Sequence, residues 1–178
     1  EGALELRVNP TMIPENHPVA NVNYSFNAVL IRGNAVGDLM FYGRGAGDLP
    51  TGSAVVSDLV DILRSNIDID NINPVVKNNL WEKEIKDIDE INSKYYIRLS
   101  VEDRTGVLGE ITSVFGNENV SLRSVIQKGA DSVNENRVTL VLVTHDCKEG
   151  NLRNAINSVC KLEAVYKLNS LIRIEDFN

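Results

Sequence analysis

The segment Asp103-Arg104-Thr105-Gly106-Val107-Leu108 carries the residue types that could hold a small zwitterion. Gly106 lets the backbone turn sharply into the helix that the following apolar spacing requires. Free amides at a helix start attract a carboxylate, because the aligned peptide dipoles leave partial positive charge there. The Asp103 carboxylate offers a counter-charge for an ammonium group, and Asn119, further along, offers an amide to the backbone-like groups of such a ligand. The competing reading is an ordinary helix cap, in which Asp103 or Thr105 satisfies the helix's own amides. Residue types alone favour the cap.

A second candidate is the glycine cluster Gly43-Arg44-Gly45-Ala46-Gly47. Gly43-x-Gly45-x-x-Asp48 lacks the last glycine of the dinucleotide fingerprint, and no βαβ unit opens from the strand before it. Gly47-x-x-x-x-Gly52-Ser53 has phosphate-loop spacing without the lysine that contacts the phosphates, which disfavours nucleoside-triphosphate hydrolysis. Glycines still allow close approach of a ligand to the backbone, and a helix begins just beyond, so an anion or an amide-bearing cofactor could face its first amides. A tight strand-to-helix turn explains the same residues equally well.

No catalytic set emerges. His17 lies in a proline-rich stretch. His145, Asp146 and Cys147 are adjacent at a strand end, where successive side chains point to opposite faces, so a surface turn is the better reading. The scattered carboxylates have no metal-ligand spacing, and the two cysteines, Cys147 and Cys160, form neither a CxxC pair nor a disulfide framework. Cys160 extends an apolar helical stripe and reads as a small core residue.

The whole chain sets limits on partners. Its 178 residues suffice for one large or two small domains, and 43% hydrophobic with 24% charged residues is ordinary globular composition. A net charge of −7 argues against nucleic acid, which demands a basic face. Residues 1–70 carry 4 basic and 9 acidic side chains and residues 95–178 carry 10 and 11, so neither half is a charge run. No apolar stretch reaches the roughly 20 residues of a membrane helix, and Glu1 opens no secretory signal, so a cytoplasmic protein is expected.

These residues need elements to position them. Leu4, Leu6 and Val8 alternate with polar neighbours and predict a strand ending before Pro10. Asn27–Ile31 and Gly37–Tyr42 predict a hairpin about a turn at Gly33-Asn34. Pro50, Thr51 and Ser53 start a helix whose apolar positions run from Ala54 to Leu63. A polar connector occupies 65–94, pinned by Trp81 and the Ile85/Ile88/Ile91 series, with a short helix possible within it.

From residue 95 the pattern is βαββαβ: a strand through Ile97, Leu99 and Val101, a helix through Val107, Leu108, Ile111, Val114 and Phe115, and a strand over 120–127. A polar loop over 128–136 leads to a strand at 137–144. A helix through Leu152, Ala155, Ile156, Val159 and Cys160 follows, and a strand from Tyr166 to Ile174 closes the pattern. That order gives two helices on one face of a four-stranded antiparallel sheet, an α+β ferredoxin-like domain. Val138, Leu140 and Leu142 point one way on the third strand, with Val141 and Val143 opposite. A strand apolar on both faces calls for cover on both, supplied by a second copy or by the first region; ordinary surface scatter is the competing explanation.

The words themselves resemble a known family. Asn9-Pro10-Thr11-Met12-Ile13-Pro14, His17-Pro18-Val19-Ala20-Asn21-Val22-Asn23, Phe26-Asn27-Ala28-Val29, Phe41-Tyr42-Gly43-Arg44-Gly45-Ala46-Gly47, Leu49-Pro50-Thr51 and Ser53-Ala54-Val55-Val56-Ser57-Asp58-Leu59 resemble homoserine dehydrogenases, in order over residues 3–63. Lys94-Tyr95-Tyr96-Ile97-Arg98-Leu99 and Asp103–Leu108 are similar to the ACT domain that many bacterial members carry, with Thr105 where the family usually has proline.

The resemblance implies the end of a dehydrogenase catalytic and dimerisation region over 1–64, a connector over 65–94 and an ACT regulatory domain over 95–178. It implies an intact oxidoreductase that interconverts L-aspartate 4-semialdehyde and L-homoserine with NADP or NAD, on the route to threonine and methionine. Gly45, Ala46 and Gly47, with less weight on Gly43 and Thr51, would then pack near the nucleotide. Asp103, Thr105, Gly106, Val107, Leu108 and Asn119 would serve an amino-acid effector, with threonine the foremost choice, between paired copies of a homo-oligomer. No stretch here supplies the family's nucleotide fold, catalytic lysine or acidic residues, so this chain by itself is expected to be inactive and to hold no cofactor or metal. The alternative is a stand-alone ACT module for regulation or assembly, which would not need the segments at 41–47 and 50–58.

Overall fold

A computed structural model describes residues 3–64, 83–129 and 136–177. In chain order its strands are β1 (Thr11–Met12), β2 (Phe26–Gly33), β3 (Gly37–Arg44), β4 (Asn92–Glu102), β5 (Leu122–Lys128), β6 (Arg137–Thr144), β7 (Cys147–Lys148) and β8 (Val165–Ile174). The helices are α1 (Asp48–Arg64), α2 (Val107–Asn117) and α3 (Glu149–Val159). Two compact units result, Glu1–Ile13 with Lys83–Asn178, and Pro14–Glu82.

The larger unit is built by alternation. Tyr95, Ile97, Leu99 and Val101 on β4 and Val138, Leu140 and Leu142 on β6 are all buried. They meet Val107, Ile111 and Phe115 of α2 and Leu152, Ala155, Ile156 and Val159 of α3 in one core. The period changes from two in the strands to 3.6 in the helices, so every apolar row faces the same layer. The sheet order is β5-β6-β4-β8, antiparallel throughout, with β1 added in parallel outside β8. This is the expected α+β arrangement, with β6 matching its expected limits and the other elements shifted by a few residues.

Two expectations are corrected. Leu6 and Val8 do not form a strand: they are 68% and 105% exposed, and the edge strand in this segment is Thr11–Met12. Alternation makes a strand only where a surface buries one face, and none covers these two side chains. By contacts the segment groups with the residues from Lys83 onward, and the hairpin-bearing unit lies in sequence between these two parts. Cys160 is exposed, because α3 ends at Val159 and the stripe has rotated off the core; Cys147 is the buried cysteine. Val141 is buried within this chain, flanked by its register partners Arg98 and Ile126. Ile126 itself is 50% exposed.

The connector's short helix exists as a 3-10 turn at Ile88–Glu90, capped by the Asp87 carboxylate, which accepts from the Asp89 amide at 2.9 Å. Trp81, with the rest of 65–82 and residues 130–135 of the polar loop, lies outside the described residues.

In the smaller unit, β2 and β3 pair antiparallel from Phe26↔Arg44 to Gly33↔Gly37. Arg32 clamps Asp38 through two hydrogen bonds of 2.7 and 3.1 Å near the turn, and Phe26 stacks on Tyr42 at 4.9 Å between ring centroids. α1 follows directly, its limits wider than the expected apolar stretch. None of the unit's described residues is buried: Val29, Phe41, Val55, Val56, Leu59 and Ile62 are all more than half exposed.

Candidate functional site

The Gly106 turn sits where β4 hands over to α2. Gly106 has φ +92° and ψ −23°, in the left-handed region that glycine reaches without strain, and no side chain caps the helix that follows. The capping explanation therefore fails. The Asp103 carboxylate instead accepts from the Gln127 side-chain amide at 3.3 Å, and the Asp103 amide bonds to the Asn136 carbonyl at 3.0 Å. Thr105 is exposed and makes no cap. Arg104 reaches across the turn to Glu102 at 2.8 Å and Glu110 at 3.2 Å, and these partners raise its already high pKa.

Within this turn the elements divide the work. The Val107 side chain is buried and pins the first helical residue to the core. Leu108 is 41% exposed and gives the turn an apolar shoulder. A carboxylate at the turn would find first-turn amides, which an α-helix leaves without internal acceptors.

Asn119 is not brought to this turn. It follows the far end of α2, in the left-handed region at φ +58°, with its amide bonded to the Gly116 carbonyl at 3.0 Å. The 11 residues of α2 span about 16 Å, too far for one amino acid to touch both Gly106 and Asn119 of a single copy.

The glycine-cluster residues do lie together. Gly43 stands opposite Asn27, one pair before the end of the β3 ladder, and the Gly45 amide bonds to the Ser25 carbonyl at 3.2 Å. A Cβ on Gly45 would lie 1.7 Å from the Asn27 side-chain nitrogen and 3.2 Å from its Cβ, so this glycine is fixed by close approach. Gly47 takes φ +117°, and the Thr51 amide bonds back to its carbonyl at 3.1 Å in the first turn of α1. Gly43, Gly45, Ala46, Gly47 and Thr51 thus form one exposed turn. Asp48 stands in the first turn of α1, where its negative charge already answers the helix dipole. The turn is therefore better matched to a neutral amide or hydroxyl than to a phosphate.

His145, Asp146 and Cys147 do not converge. The Cys147 thiol is buried 3.7 Å from the Ser93 carbonyl, and burial pushes its pKa up; Asp146 faces Lys94 at 3.9 Å and His145 is exposed. Among the described residues no group of three metal-ligating side chains gathers, and no helix is long and apolar enough to cross a membrane.

One polar cluster had no sequence signal. The Tyr95 hydroxyl donates to Glu149 Oε2 at 2.5 Å, and Arg173 donates to the same oxygen from Nε at 3.1 Å and Nη2 at 2.6 Å. Glu149 and Arg173 side chains are only 12% and 18% exposed. Burial, then the bond to Glu149, drives the Tyr95 phenol well above its ordinary range.

Comparison with known proteins matches two separate stretches of the chain. Residues 2–60 match the homoserine dehydrogenase family model and residues 95–164 the ACT domain model. The chain is 39% identical to the homoserine dehydrogenase of Synechocystis over 97% of its own length and 40% of that protein. It is 38% identical to that of Neisseria gonorrhoeae, over 98% of the chain and 41% of that protein. A crystallised homoserine dehydrogenase from Thiobacillus denitrificans superposes on all of it with a TM-score of 0.81 at 37% identity, covering 40% of that structure. The chain spans about two-fifths of the length of these relatives. Its glycine-rich turn and its uncapped Gly106 turn thus fall in two separately matched regions, and the chain belongs to the homoserine dehydrogenase family, carrying part of the dehydrogenase followed by an ACT domain.

Proposed function

We propose that this chain is the regulatory portion of a cytoplasmic homoserine dehydrogenase, and that its ACT domain binds threonine at the Gly106 turn. The observation that carries the reading is the left-handed, uncapped start of α2. Threonine presents a carboxylate for those amides, an ammonium for the Asp103 side and a hydroxyl that can be read separately. Because Asn119 lies at the other end of α2, any contact from it to the same ligand comes from a second copy of the domain. β1 occupies only the Arg173–Ile174 end of the β8 edge, so a second copy could extend the sheet at β5 or along the rest of β8. Feedback then requires threonine to bind two pairings of the ACT domains unequally.

The whole protein would interconvert L-aspartate 4-semialdehyde and L-homoserine with NADP or NAD. Gly43, Gly45, Ala46, Gly47 and Thr51 would form part of the wall beside the nucleotide. The exposed apolar side chains of β2, β3 and α1 would be covered by the remainder of the longer protein, since a hairpin and one helix bury too little to stand alone.

Two results are expected. Titration calorimetry of the chain with threonine, methionine, lysine and isoleucine should give saturable heat with threonine; flat traces with all four would remove the effector. Homoserine-dependent reduction of NADP or NAD, followed by nicotinamide absorbance, should be absent for the purified chain. Turnover above a no-protein control would contradict the assignment of catalysis to residues beyond it.

A further inference from the structure

The segment Ala3–Ile13 is attached to the ACT sheet by very little. β1 is two residues long, paired at Thr11↔Arg173 and Met12↔Ile174, with the Glu175 amide bonding to the Met12 carbonyl at 2.9 Å. Seven residues earlier in the segment, Leu4 exchanges two bonds with the chain at 84–86: its amide to the Glu84 carbonyl at 2.7 Å, and the Lys86 amide to its carbonyl at 2.8 Å. Between these anchors Arg7 reaches Glu175 at 3.5 Å. The apolar side chains contribute little burial: Leu6 and Val8 are 68% and 105% exposed, Leu4 and Met12 are 44% and 43% exposed, and Ile13 is half-buried. Nor is the segment packed tightly: a cavity of about 100 Å³ lies where Asn9 and Pro10 meet Tyr95, Glu149 and Arg173.

These anchors sit at a meaningful place in the chain. Ile13 leads directly into the unit that begins at Pro14, and Lys83–Lys86 is where the chain returns from it. We propose that residues 3–13 are a detachable strap, held chiefly by backbone hydrogen bonds at Thr11–Met12 on the β8 edge and at Leu4 on residues 84–86, that can release while the ACT core stays folded. Sub-global openings of this kind are drawn from regions with few buried apolar contacts and solvent-exposed backbone bonds.

Amide hydrogen exchange by NMR on the 178-residue chain tests this. The Glu175, Lys86 and Leu4 amides report docking, and amides within β4 and β6 report the core. The expected result is strap amides exchanging at least about 100-fold faster than the core yet at least about tenfold slower than unstructured peptide. Arg7→Ala should speed the strap amides a further two- to fivefold, roughly what a solvent-accessible ion pair contributes, and leave β4 and β6 unchanged. A second variant, Asn9→Ala, removes the bonds from the Asn9 side chain to the Pro10 carbonyl and the Thr11 hydroxyl, which shape the strap, and should act in the same direction. Strap amides exchanging in step with the core, or at the unstructured rate, would overturn the proposal, as would both variants leaving strap exchange unaltered.

Discussion

Gly106→Val is expected to weaken threonine binding by roughly 100-fold, about 2.7 kcal/mol, while the ACT domain still folds. A Cβ at this position meets nothing within 4 Å, so the effect does not arise from crowding. It arises from the backbone. At φ +92° a β-branched residue is strained by about 1–3 kcal/mol, and the chain relieves that strain by rotating the peptides that open α2. Those peptides carry the amides assigned to the ligand carboxylate, so even a small rotation misdirects them. Gly106→Asn supplies the control, because asparagine tolerates the left-handed region and should keep most of the affinity. Calorimetry gives the affinities and thermal unfolding the integrity of the fold. Equal affinity for the glycine and valine proteins would remove the turn from the binding site.

The second large effect is on stability. Glu149→Ala should cost about 2–4 kcal/mol, read from urea unfolding, because it strips the shared acceptor from two groups at once. Arg173 would be left with its charge largely buried, and the Tyr95 hydroxyl, on a side chain 1% exposed, would lose its partner. Breaking such a pair is worse than never having had it, so Glu149→Leu combined with Arg173→Met should cost much less than the two single changes added together. The Lys148–Glu90 pair makes the contrast. It is as short, at 2.6 Å, but its side chains are 48% and 58% exposed, so Lys148→Ala should cost under about 1 kcal/mol. A Glu149→Ala loss no larger than that of Lys148→Ala would show the cluster to be incidental.

The regulatory half was readable because its apolar spacing and its burial agree. Alternation in 95–101 and 137–144 and the stripe from Leu152 to Val159 each need one face covered, and the two-layer fold covers it. Gly106 was readable for a similar reason: a glycine between a strand and a helix marks a backbone position that other residues enter only with strain. What periodicity could not show was whether a partner surface exists. Leu6 and Val8 alternate as well as any strand, yet no layer meets them, and the pairing went to Thr11 and Met12 because β8 offers an edge there.

Clusters assembled by the fold were equally hidden. Tyr95 is 54 residues from Glu149, and Glu149 is 24 from Arg173, so no local pattern joins them. Asn119 stands at the far end of α2 from the Gly106 turn, a separation that can be estimated from sequence once α2 is recognised. The residues of the glycine cluster were found together because they are consecutive. Their role beside a nucleotide rests on family resemblance.

The most direct test is a threonine titration of the isotope-labelled chain, following the backbone amide resonances of Val107, Leu108 and Gly109. Saturable shifts centred on these three, absent in the Gly106→Val protein, are expected if the open start of α2 holds the ligand carboxylate. Saturable binding with these resonances stationary and the shifts gathered elsewhere would place the amino acid at a different site and contradict the assignment.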